Sequence, residues 1–206
     1  CGYHAKPMPQ ISAPQFLYKI ESDRLQIYVE PFDTEDECKK VFQHNLNKNA
    51  YIPIFLRIKN NYEDLEIKID RDNLRFYSND GLEFVNVHGS RVARTYDVEG
   101  SLKSTLTGFI FGAMSGMFSA LQEQEKNRAR EQDFESKELS PLEAIIPGGF
   151  EEGFVYFRKP DEKLIGKKEF ESCVDGAQFS MEIFVDSQGK ENYLLKFSKV
   201  SNWFER

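Results

Sequence analysis

Residues 178–186 read QFSMEIFVD, and every second position (Phe179, Met181, Ile183 and Val185) is apolar. A period of two belongs to a strand with one face in a core and the other toward water. The same period runs through Leu65-Glu66-Ile67-Lys68-Ile69-Asp70, where Leu65, Ile67 and Ile69 share a face. Outward from these segments, the chain reads as strands separated by turn residues. Gln15–Ile20 and Arg24–Glu30 are joined around Ser22-Asp23, and Leu74–Tyr77 and Leu82–Val87 around Asn79-Asp80-Gly81. Ala50–Lys59 is largely apolar, with Pro53 near its start, where a missing N–H is best tolerated. Pro147-Gly148-Gly149 leads into Gly153–Arg158, Glu169–Cys173 adds a shorter strand, and Ser187-Gln188-Gly189 reverses the chain into Asn192–Ser198. One short helix is expected within 31–47, capped by Asp33 or Thr34, with acids in its first turn and bases after. Many short strands and few helices predict a mainly β fold, a β-sandwich over residues 15–206.

A chain of 206 residues can form one sizeable core without obligatory staples. Aromatic residues make up 14 %, led by 18 Phe and 9 Tyr, a bias that favours strands. The formal net charge is -7 and there is no run of Lys or Arg, which argues against nucleic acid as a partner, because a phosphate backbone needs a basic face. No stretch reaches the ~18–20 uninterrupted apolar residues that cross a bilayer as a helix.

Residues 1–14, CGYHAKPMPQISAP, carry Pro7, Pro9 and Pro14 and no hydrophobic period. An extended tether is expected, spanning ~35–40 Å at ~3.1 Å per residue. Cys1, with its small and polar followers, resembles the processed end of a bacterial lipoprotein. That resemblance implies acyl chains on Cys1 and membrane attachment through them; stable anchoring takes at least two chains, which a triacyl group supplies. It also implies the outer membrane, facing periplasm or cell surface, because Gly2 is not the Asp that retains such lipoproteins at the inner membrane. YIPIFLRIKN (51–60) and IPGGFEEGFVYF (146–157) resemble segments of immunoglobulin-like domains in bacterial exported proteins, which implies an immunoglobulin-like β-sandwich. In an exported compartment Cys38 and Cys173 could form a disulfide; as free thiols they would be small core residues.

The stretch 101–141, SLKSTLTGFIFGAMSGMFSALQEQEKNRAREQDFESKELSP, breaks the β pattern and predicts a helical insert at about 101–140. Small residues recur every fourth position: Ser104, Gly108, Gly112, Gly116 and Ala120. On a helix they form a flat stripe that lets another backbone approach, flanked by Phe109, Met117 and other apolar side chains. Three interior glycines cost about 1 kcal/mol each against alanine, so the stripe is expected to pack on something. Its own sheet, another protein subunit and the bilayer surface all fit. Gln122–Glu138 is almost wholly charged or amide, which suits a solvated helix or a disordered loop.

Catalytic motifs are wanting. His4, His44 and His88 show no HExxH or HxH spacing, and no CxxC occurs, so metal ligation has no sequence support. His88-Gly89-Ser90-Arg91 lacks the GxSxG context of an activated serine. Cys38 and His44 do not share a helical face, and Asp70-Arg71-Asp72-Asn73 is too short for a calcium loop. Gly148-Gly149 lies in a Pro-Gly turn, not in a phosphate cradle. Trp203, Phe197 and Phe204 could stack on a sugar but suit a core or interface equally. No cofactor is indicated. The expectation is a non-catalytic outer-membrane lipoprotein that binds other envelope proteins, or itself, through Gly108, Gly112, Gly116, Phe109 and Met117. The alternative is a module that binds a small ligand or glycan.

Overall fold

The structure, a computed structural model, describes residues 3–96, 113–141, 144–160, 174–186 and 188–197, and the side chains of its long helix from residue 124 onward. The strands are β1 (Tyr18–Glu21), β2 (Leu25–Pro31), β3 (Tyr51–Asn60), β4 (Ile67–Ile69), β5 (Arg75–Tyr77), β6 (Glu83–Val87), β7 (Ala144–Ile145), β8 (Phe150–Arg158), β9 (Gln178–Val185) and β10 (Gly189–Lys196). The helices are α1 (Glu35–Phe42), α2 (89–96 of the described chain) and α3 (Ala113–Ser136). The fold is therefore mainly β. The expected Glu169–Cys173 strand lies outside the described residues.

All ten strands belong to one antiparallel sheet, in the order β1-β2-β3-β8-β6-β5-β9-β4-β7, with β10 paired to β9. The turn in this sheet is made by β6. Its Glu83 and Phe84 pair with Tyr77 and Phe76 of β5, whereas Val85–Val87 pair with Arg158–Tyr156 of β8. A strand that changes partner along its length turns a sheet through a corner. The β4–β5–β9 part thereby folds over the β2–β3–β8 part.

The alternation in the sequence sets what lies between them. Phe179, Met181, Ile183 and Val185 of β9 face Leu25, Ile27 and Val29 of β2, Ile52, Ile54, Leu56 and Ile58 of β3, and Val155 and Phe157 of β8 in one buried cluster. The other face of β2, β3 and β8 is also covered. Tyr28, Tyr51, Phe55, Phe154 and Tyr156 pack there against Cys38, Val41 and Phe42 of α1, Val92, Ala93 and Tyr96 of α2, and Phe134 of α3. A strand covered on both faces carries an unbroken apolar run rather than an alternating one. This accounts for YIPIFLRI in β3, where aliphatic side chains take the sheet side and aromatic ones the helix side.

Helix α1 starts where expected, and Thr34 supplies the cap. Its hydroxyl accepts the Glu37 N–H, and the Glu37 carboxylate accepts the Thr34 N–H (3.2 Å) and O–H (2.6 Å). This capping box satisfies donors at the helix start that would otherwise be unpaired. The helix ends at Gln43, whose φ of 61° is left-handed.

Past α3 the chain runs alongside the middle of β8. Phe154 donates to Lys137 O at 2.7 Å, and Leu139 donates to Phe154 O at 2.9 Å. Gly153 makes this approach possible, since a Cβ there would stand 2.6 Å from both Leu139 N and Cα. Backbone atoms cannot swing aside as a flexible side chain can. Gly153→Ala is expected to destabilise the fold by about 2–3 kcal/mol, read from urea unfolding, as overpacking of a close contact does. A change below ~0.5 kcal/mol would show that the 137–139 segment is not bound to β8 as described.

Candidate functional site

The most distinctive surface is built by the N-terminal segment, a strap over residues 3–17. Prolines at 7, 9 and 14 keep it out of any ladder, and Ala13–Gln15 form a single 3-10 turn. Where the sequence leads one to expect an extended tether, residues 3–14 belong to a strap that lies on the body. Met8, Ile11 and Ala13 pack on the helix-side core, and Phe16 is buried against Tyr28 and Phe55, with ring centroids 5.3 and 6.0 Å away. Arg57 donates to Ile11 O at 2.9 Å while its guanidinium lies 5.3 Å over the Phe16 ring. Gln43 donates to His4 O, and the Leu17 N–H donates to Glu30 at 2.8 Å. Apolar side chains at 8, 11, 13 and 16 outweigh the extension that the prolines impose.

Between the strap and α1 runs a groove of about 560 Å³. Pro7, Met8, Pro9 and Ile11 form one wall, and Phe32, Glu37, Lys40 and Val41 the other, with Glu30 between them. Burial pushes the Glu30 carboxyl up to about 7, helped by the charges of Glu37 and Asp33 and opposed by the Leu17 N–H.

At its outer end the strap meets α3. The Tyr3 hydroxyl donates to Asp133 Oδ2 at 2.5 Å, and the Lys137 ammonium donates to the same oxygen at 2.5 Å and to Val41 O at 3.2 Å. Asp133 and Lys137 stand one helical turn apart, and their side chains are 4 % and 3 % exposed. Burial raises the Tyr3 phenol, as does its bond to the Asp133 carboxylate. Burial lowers the Lys137 ammonium, which Asp133 opposes. Between them Phe134 is fully buried, stacked 5.0 Å from Phe42, and Tyr156 donates to its carbonyl at 3.2 Å. On the outer side Glu131 pairs with Arg94 of α2 at 2.8 Å, and Arg130 lies 5.6 Å over the Tyr3 ring. The root of α3 is thus plugged by an aromatic ring and tied by charge.

A second polar knot lies on the far side of that root. Arg71, nearly buried, places Nη1 3.0 Å from Glu138 Oε1 and Nη2 2.9 Å from His88 Nδ1. The first contact is off the hydrogen-bond axis and acts as an ion pair. A guanidinium can only donate, so Nδ1 is the acceptor in the second. Burial raises the Glu138 carboxyl, and the Arg71 charge opposes that rise most strongly. The knot ties the connection before β5, the start of α2 and the exit of α3 at one point. Its geometry is that of a brace in which the Arg71 and Glu138 side chains are buried, while the His88 side chain, held through Nδ1, remains 65 % exposed.

Of the residues singled out from sequence, Cys1, Gly108, Phe109, Gly112 and Cys173 lie outside the described residues. Gly116 and Met117 fall within α3. Cys38 is a fully buried free thiol, 3.4 Å from Phe32 O and 3.5 Å from Asn47 Oδ1, and burial pushes it up to about 12. That is core behaviour, not that of a nucleophile. His44 stacks on Tyr96 with centroids 4.5 Å apart. Sequence reasoning passed over Glu30, Arg71, Asp133, Lys137 and Glu138. The one hint was Phe134, a lone aromatic in a charged run. Among the described residues no group of three or more His, Cys, Asp or Glu could hold a metal ion, and no helix is long and apolar enough to cross a membrane. The chain matches no family model, no curated protein and no solved structure.

Two outcomes follow from these charges. Lys137→Met removes the counter-charge of the buried Asp133 carboxylate, which keeps the Tyr3 hydroxyl, and should cost about 3–5 kcal/mol, whereas adding Asp133→Leu should restore most of it. A double variant no more stable than the single one would show that the pair is not desolvated as described. For Glu30, an unfolded glutamate titrates near ~4.3, so between that and about 7 the folded state keeps a proton that the unfolded state has lost. Stability is therefore greatest at acid pH and falls as pH rises through that window. Glu30→Gln should gain ~1–2 kcal/mol over the parent at pH 8, after allowance for solvent screening, and nothing at pH 4. A pH-independent difference between the two would remove the titration argument.

Proposed function

We propose that the protein is a non-catalytic lipoprotein of the bacterial outer membrane that acts as a scaffold or accessory subunit of a cell-envelope assembly. Acyl chains on Cys1 hold it to the membrane, and α3 with the glycine stripe leading into it is the contact element. The observation that carries this reading is the Tyr3–Asp133–Lys137 junction. It fixes the strap to the root of α3 at a buried carboxylate. Two residues span at most ~7 Å, so a lipid on Cys1 would sit beside that root. Anchor and helix then move as one unit. Phe134 and the flanking ion pairs pass load from the helix to the doubly buried strands.

The 24 residues of α3 extend ~36 Å at ~1.5 Å per residue, long enough to carry a partner clear of the body. Gly108, Gly112 and Gly116 would let that partner's backbone approach, with Phe109 and Met117 filling the seam. The partner is another envelope protein or a second copy. The fold reading that accompanies this is an immunoglobulin-like sandwich with the helix as an insert, supported by the apolar cluster shared by the two halves of the sheet.

Gly112→Leu with Gly116→Leu should abolish co-purification of partners from detergent-solubilised native membranes while leaving urea unfolding of the isolated protein unchanged. Mass spectrometry of the native N-terminal peptide should show acylated Cys1. An unchanged set of partners would sink the role of the stripe, and an unmodified Cys1 thiol would sink the anchor.

A further inference from the structure

We propose that the groove between the strap and α1 binds a small amphipathic monoamine, its ammonium on the Glu30 carboxylate and its apolar body along Met8, Ile11, Phe32 and Val41. At about 560 Å³ the groove lies within the ~300–1,000 Å³ range of small-molecule sites. Its lining mixes six apolar residues with five polar or charged ones, drawn from the strap, β2 and its end, and α1, which suits a ligand that is itself amphipathic.

The charge of the ligand follows from what surrounds Glu30. Its carboxylate accepts the Leu17 N–H and faces Glu37 and Asp33, both acidic; among the described residues no cation pairs with it. Glu37 is already engaged with Thr34 in the capping box. A half-buried carboxylate with like charges about it gains most from an incoming cation, which relieves repulsion and replaces lost hydration. Lys40 lines the same groove and disfavours a second positive group, which selects a monoamine over a diamine. A carboxylate ligand meets Glu30 and Glu37, and an alcohol gains no charge pairing.

Binding is linked to protons. Burial and the neighbouring acids hold the Glu30 carboxyl up to about 7, so the ionised form that an ammonium needs is scarce in acid. Near neutrality, taking up the amine releases a proton from Glu30 as the new ion pair draws its carboxyl down. The site is independent of any membrane anchor, so its failure leaves the scaffold reading untouched, and the reverse holds.

The test uses the full chain with 4-phenylbutylamine, and 4-phenylbutanol and 4-phenylbutyrate as matched probes, by calorimetry and NMR. The amine should bind saturably, shift resonances of Glu30, Phe32 and Val41, and bind at least about tenfold more tightly at pH 8 than at pH 5.5. Glu30→Gln should weaken it about tenfold and flatten the pH profile, while Lys40→Gln should tighten it. Equal binding of alcohol and amine, shifts that map away from the groove, or a Glu30→Gln variant that binds like the parent would overturn the assignment. Should Glu30→Gln fail to fold, the profile of the unaltered protein decides, and a pH-independent affinity overturns the assignment.

Discussion

The antiparallel pairing of β3 with β8, from Tyr51↔Arg158 to Lys59↔Phe150, is the constraint on which the remaining structure depends. Residues 51–56 of β3 and 153–157 of β8 are buried on both faces of the sheet. Neither face can meet water, so the chain must supply two covers. The folded-over strands β4, β5 and β9 supply one, and α1, α2, the root of α3 and the strap supply the other. The close fit this demands is visible at glycines. A Cβ at Gly153 would meet the backbone of Leu139, and one at Gly89 would stand 2.9 Å from Phe134 O.

The helical cover is less uniform than the sheet cover, and its polar groups show how it is held. Buried ion pairs add little net stability, because desolvation offsets much of their attraction, but they are strongly directional. Asp133–Lys137 on one side of the α3 root and Arg71–Glu138 on the other fix where the helix leaves the body. Tyr3 joins the first pair, so the strap reads the position of α3 and α3 the position of the strap. The groove and its raised carboxyl lie along the same strap, which places both proposed functions on one element.

Much of the β architecture was legible. The alternation of β9 named its four buried residues, the turn at Asn79-Asp80-Gly81 separated β5 from β6, and Thr34 capped α1. β3 was legible as a strand, but the meaning of its unbroken apolar run, a second core behind it, was not drawn. The strap was read as an extended tether because it carries three prolines and no hydrophobic period, whereas four spaced apolar side chains decide where it lies. Of the candidate site, little could be read. Glu30 looks like any outward residue of an alternating strand, and Asp133 and Lys137 like any surface pair of a charged helix.

What the sequence determined by itself is local: the strand period, the turns, the cap and the apolar side of each element. These follow from backbone geometry and side-chain shape within a few residues. What the tertiary structure alone decided is which charges lose their water. Arg71 meets His88 and Glu138, and Tyr3 meets Asp133, across separations of 17, 67 and 130 residues along the chain. Desolvation depends on everything packed around a group. No neighbourhood in the sequence carries that information, and the chemistry of both the strap and the groove arises from it.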